Sequence, residues 1–233
     1  MHVPWAVATI NLKEPFRSTD CECRQNQFAG WTVQQCSDLM DRLVEIILNL
    51  KLHGFASVVP IADYKTVFPN SNEYDAYYLA VRHTIINMAH IGHAYKSKWG
   101  IEGMSCWFED SAATSKTTGR IYREIREVQS WPVAQSLSPS PIFESKTLRQ
   151  LQAADLVARE AFKHFDNLGV RKTRIPVQRM SDLLAFIVWD VPTLEYLRDH
   201  GGPEDLELLT SWENCDERNR PRPPLFKTFW KNF

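Results

Sequence analysis

Four carboxylates in this 233-residue chain stand where an α/β protein would place a site. Glu109 and Asp110 end an apolar run, Met104 to Phe108, and precede a helical pattern. Glu144 ends Pro141-Ile142-Phe143 and precedes another. The fourth, Asp155, shares a helical stripe with Leu151, Ala158, Phe162 and Phe165. The other four are apolar, so the spacing predicts that the stripe faces the core. A carboxylate placed there loses solvation and needs a partner, a metal or a proton. Ligands of open α/β sheets bind outside the carboxyl ends of strands. If the two short runs pair as parallel neighbours, Glu109, Asp110, Glu144 and Asp155 converge. Clustered carboxylates repel one another unless a cation joins them. Oxygen-only donors suit a hard ion such as Mg²⁺ or Mn²⁺, and two such ions can activate water and stabilise a leaving oxygen in phosphodiester cleavage. The plain alternative is that Asp155 bonds a nearby backbone group or an Arg. Glu109 and Asp110 would then be solvated acids at a helix start, where the dipole favours them.

The elements that must position these residues alternate between strand and helix patterns. Thr32 and Gln35 form a capping box, and Cys36, Leu39, Leu43, Ile46 and Leu50 follow as an apolar stripe that Gly54 closes. Phe55 to Ile61 reads as a strand with Pro60 near its end. Tyr74 to Tyr95 reads as a long helix that buries Tyr74, Tyr77, Val81, Ile85, Met88 and Ile91. Residues 116–130 form a third helix, with Ile121, Ile125 and Val128 inward. The helix carrying Asp155 closes at Gly169, and further helices are expected near 177–189 and 192–200. Strands alternating with helices predict α/β layers around a sheet that includes parallel pairs.

The segment Phe143-Glu144-Ser145-Lys146, followed by Leu151-Gln152-Ala153-Ala154-Asp155-Leu156-Val157-Ala158, resembles the C-terminal signature of the family called domain of unknown function 3800. Members carry an acidic-Ser-Lys turn and a Leu-Gln-x-Ala-Asp-Leu helix. Phe28-Ala29-Gly30-Trp31, Gly54-Phe55 running to Ala62-Asp63-Tyr64, and Trp107-Phe108-Glu109-Asp110 are also similar, so the resemblance covers roughly residues 15–170. It implies a ribonuclease-H-like mixed sheet flanked by helices and a divalent-metal-dependent nuclease using Mg²⁺ or Mn²⁺. Asp155, Asp110 and Glu144 would be metal ligands, with Glu109 as a further catalytic acid. Lys146, Ser145 and Gln152 would contact substrate. Family members begin with a strand ending in Asp-Glu-Ser-Gly, which this chain lacks. The N-terminal strands are therefore expected to be missing, through a truncated reading frame, a displaced start or decay of the domain. A catalytically inactive module that binds nucleic acid or protein is the competing expectation.

Residues 1–170 are expected to form the ribonuclease-H-like domain, 171–217 a helical extension and 218–233 a tail. The tail holds Arg218, Arg220, Arg222, Lys227 and Lys231 with no acid. Phe226, Phe229, Trp230 and Phe233 fall on one face of a short helix. Basic and aromatic residues together suit single-stranded nucleic acid, a partner's groove, or docking on the protein's own core. His83, His90 and His93 share one helix, and imidazoles so placed can bind a transition metal. A structural reading is preferred, since no Cys stands nearby. No phosphate-loop or serine-elbow motif occurs. Net charge is -1, which argues neither for nor against nucleic acid. Five separated cysteines, the absence of a long apolar run and the lack of a leader pattern predict a cytoplasmic protein outside the membrane.

Overall fold

The structure is a computed structural model and describes residues 12, 14–71, 73–100, 103–129, 131–145, 147–166 and 175–200. In chain order its elements are α1 (Ser18–Cys23), α2 (Val33–Asn49), β1 (Gly54–Val58), α3 (Ile61–Val67), α4 (Glu73–Trp99), β2 (Trp107–Glu109), α5 (Ser115–Arg126), β3 (Ile142–Glu144), α6 (Arg149–Asp166), α7 (Ile175–Arg179), β4 (Leu184–Val188) and α8 (Val191–His200). The protein is mixed α/β, with strands in two small sheets, β1 with β4 and β2 with β3. It divides into two compact units, each discontinuous in sequence. Of the described residues, the first holds those up to 54 and those between 147 and 184, the second those between 55 and 145 and between 185 and 200.

In the first unit, α2 begins as its capping box requires. Gln35 N–H donates to Thr32 Oγ1 at 3.1 Å, and Thr32 N–H donates to Gln35 Oε1 at 2.8 Å. The helix buries Cys36, Leu39, Met40, Val44 and Ile47. Cys36 and Leu39 match the expected stripe, but its second half is one row away from Leu43, Ile46 and Leu50. Both rows are apolar, so periodicity alone does not separate them. The helix also ends earlier than expected. Lys51 adopts φ 50°, and Leu52 N–H returns to Ile47 O at 3.1 Å. Gly54 opens β1 instead. A Cβ there would stand 2.9 Å from Leu184 Cδ2, so the missing side chain permits close approach of β4.

The second unit packs α3, α4, α5 and α8 around a core that includes Tyr64, Leu79, Ile85, Ile86, Ile121, Tyr122, Ile125, Leu137 and Leu194. Helix α4 buries part of the face its apolar spacing predicts: Ile85 is inside, and Val81 and Met88 pack against the core. Tyr77 is 41% exposed, whereas Leu79, Arg82, His83, Ile86 and Asn87 are inside. Three polar residues on the core side displace the apolar period from the true interface. The strand read as Phe55 to Ile61 stops at Val58, because Pro60 precedes the first turn of α3. The helix expected at 177–189 is also corrected. Only its start is helical, in α7, and Leu184-Ala185-Phe186-Ile187-Val188 forms β4. β-Branched and aromatic residues there favour the pleated form.

Gly92 marks a close approach of α4 to Met104 and Ser136. A Cβ on it would lie 3.1 Å from Met104 Cβ and 3.3 Å from the Ser136 carbonyl oxygen. The Gly92→Val variant should therefore lose about 1–3 kcal/mol of stability through overpacking. Urea unfolding measures this, and an unchanged midpoint would contradict the packing.

Candidate functional site

Asp155 lies on α6, but the buried face of that helix is Leu156, Glu160 and Ala161. Phe162 is 55% exposed, so the stripe predicted to face the core does not do so. Glu160 explains the misreading, because an acid on the inner row breaks the apolar period there. Asp155 is half-buried at the edge of the inner face. Its Oδ2 accepts from Ser18 Oγ–H at 3.1 Å and from Ser18 N–H at 3.4 Å. Three residues earlier on the same helix, Gln152 Oε1 accepts the Phe16 N–H at 3.2 Å. Both polar residues of the Leu-Gln-x-Ala-Asp segment thus hold the backbone that leads into α1.

The contact continues along the helix pair. Arg159 Nη2 stands 3.3 Å from Glu22 Oε2, and Lys163 also pairs with Glu22. Ser18 meets Asp155 and Glu22 meets Arg159, each 137 residues apart, so α1 and α6 run in the same direction in fixed register. The Asp155 carboxylate sits at the positive end of α1, where an anion is favoured. Glu22 lies near the negative end, where the two cations of α6 compensate it. The Cys21 thiol is fully buried beside Cys36, and burial followed by that neighbour pushes it up to about 12. It is therefore not a nucleophile at neutral pH.

Glu109, Asp110, Glu144 and Ser145 belong to the second unit. β2 and β3 pair in parallel, with Trp107 opposite Ile142, Phe108 opposite Phe143 and Glu109 opposite Glu144. The expected parallel neighbourhood of these runs is present, and its two terminal acids are direct partners in register. Both are exposed. Asp110 N–H donates to the Glu144 carbonyl at 2.8 Å and closes the ladder. Asp110 Oδ1 accepts from Ser115 Oγ–H at 3.0 Å, and Ser111 N–H donates to Ser115 Oγ at 2.7 Å. This fixes Asp110 at the start of α5. Ser145 is exposed beside Glu144, and Lys146 lies outside the described residues.

The three histidines of α4 turn to different neighbours. His83 Nδ1 is 3.0 Å from Ser57 Oγ, His90 packs edge-on to Trp131 at 5.1 Å, and His93 Nδ1 lies 3.4 Å from Ser136 Oγ. Among the described residues, no three His, Cys, Asp or Glu side chains are arranged to hold a metal ion. A shallow concavity of about 500 Å³ beside the start of α2 is lined by Cys23, Arg24, Gly30, Trp31, Thr32 and Val33, and by none of the candidate catalytic, metal or substrate residues. The tail, with Phe226, Phe229, Trp230 and Phe233, lies outside the described residues. Among those described, no helix is long and apolar enough to cross a membrane.

Sequence reasoning identified the need of Asp155 for a partner but missed Ser18 and Glu22, which carry no motif. It also missed Ser57 and Trp189, which meet His83 from two other elements. No protein family, no curated protein and no solved structure is matched by the chain.

The Ser18→Ala and Asp155→Ala variants should each cost about 0.5–2 kcal/mol, the range for losing a helix cap. The double variant should cost little more than the worse single one, because both remove the same contact. Full additivity in urea unfolding would refute the cap.

Proposed function

We propose that the chain is a non-catalytic binding module on an α/β scaffold that resembles the ribonuclease-H-like family named above. The observation that carries this reading is the engagement of Gln152 and Asp155 with the backbone of residues 16–18. A carboxylate that serves a hard metal directs its lone pairs at the ion, in company with other oxygens. Here Asp155 Oδ2 faces two hydrogens of Ser18 in the first turn of α1. The partner contact is assigned to Arg218–Phe233, whose five cations, four aromatics and lack of acids suit a single-stranded nucleic acid.

One observation favours a second reading, a divalent-metal phosphodiesterase. Glu109 and Glu144 end parallel neighbours in register, with Asp110 next to them. Ligand sites of α/β sheets lie at such carboxyl ends.

Calorimetry with Mn²⁺, and anisotropy with a labelled single-stranded oligonucleotide, separate the two. The module reading expects no Asp155-dependent metal heat, no cleavage, and oligonucleotide binding that is lost when Arg218–Phe233 is deleted. Five cations limit the slope of log affinity against log salt to about 3.5 in magnitude on a single strand. Tight Mn²⁺ binding with cleavage, both abolished by Asp155→Asn, would establish the phosphodiesterase. Unaltered oligonucleotide binding without the tail would remove it as the contact.

A further inference from the structure

We propose that His83 is an acid-sensitive latch in the second unit, holding the Trp189 indole and Ser57 against α4 while its imidazole is neutral and releasing the indole once protonated. The geometry assigns the tautomer. The indole N–H of Trp189 can only donate, and it is aimed at Ser57 Oγ, 3.2 Å away, and at His83 Nδ1, 3.3 Å away. Nδ1 must then be the bare nitrogen, with the ring proton on Nε2. The Ser57 hydroxyl is left to donate to Nδ1 across 3.0 Å. The rings of His83 and Trp189 meet edge to face, with centroids 4.9 Å apart. Trp189 is tied to β1 by its indole at Ser57 and by its backbone N–H at the Val58 carbonyl, 2.9 Å away, and the imidazole lone pair ties both to α4.

Protonation reverses that polarity. Nδ1 becomes a donor facing an indole N–H that cannot accept, and only Ser57 is able to turn and receive it. The new charge also has no counter-ion. No carboxylate pairs with His83 among the described residues. The ionisable group that acts on it is His90, on the same helix; Arg82 is its buried neighbour in sequence, and Asp190 follows Trp189. The Asp190 carboxylate is turned to the N–H and hydroxyl of Thr193. Burial, with a smaller push from His90, lowers His83 from its ordinary value of 6.5 to about 3.

The sign follows from linkage. Between pH 6.5 and 3 the unfolded chain holds a proton that the folded chain refuses. The stabilisation is full above pH 6.5, falls as the pH drops and levels off near 3. The folding equilibrium weakens about tenfold per pH unit within that window from this group alone.

Urea unfolding of the full chain from pH 7 to 4 tests the latch against His83→Gln, which keeps an acceptor but does not titrate. The variant should lose about one tenfold step per pH unit of the wild-type dependence. An identical dependence would overturn the proposal. NMR of the wild type decides the matter even where His83→Gln does not fold. The His83 Cε1–H should keep its neutral shift at pH 5, and the Trp189 indole signal should move only where His83 finally protonates. A His83 midpoint near 6.5, or an indole signal indifferent to it, would contradict the latch.

Discussion

Helix α1 has six residues, too few to persist alone in water. What holds it is α6, running alongside in the same direction. Asp155 and Gln152 take up backbone N–H groups at its start, and Arg159 and Lys163 hold Glu22 near its end. Parallel helices align their dipoles unfavourably, and the charges on α6 offset this at both ends of α1. Phe16, Ser18 and Cys21, all nearly fully buried, depend on the same alignment. Loss of one of these partners would expose orphan N–H groups and unseat buried side chains together.

That arrangement changes the meaning of the Leu-Gln-x-Ala-Asp segment. The sequence resemblance implies a metal site for that acid. In the structure Gln152 and Asp155, three residues apart on α6, receive the backbone N–H groups of Phe16 and Ser18. The second unit uses polar residues in the same way. Asp110 secures the entry to α5, and His83 ties Ser57 and Trp189 to α4. In each case a residue type known for chemistry does the work of a hydrogen-bonded tie.

Local signals were legible in the sequence. The Thr32–Gln35 capping box, the inward Ile121 and Ile125, and the short apolar runs of β2 and β3 follow from spacing and side-chain type alone. On α6 and α4, where the reading of the inner face failed, a polar residue stands on the buried side. Glu160 on α6, and Arg82, His83 and Asn87 on α4, each pull the apolar period off the true interface. β4 was hidden because Leu-Ala-Phe-Ile-Val fits either a buried strand or a helix segment, and only its partner β1 decides. At the candidate site, the isolation of Asp155 was visible but its partner was not. Ser18 is 137 residues distant and marked by no pattern.

The central claim is that the Asp155 carboxylate is committed to Ser18 and not available to a cation. Paramagnetic Mn²⁺ titrated into the isotopically labelled protein reads this at the position in question. The account predicts that the Ser18 amide and the Gln152 side-chain signals keep their intensity at Mn²⁺ concentrations that saturate true metal sites. Selective broadening of those signals, reversed by Asp155→Asn, would contradict it.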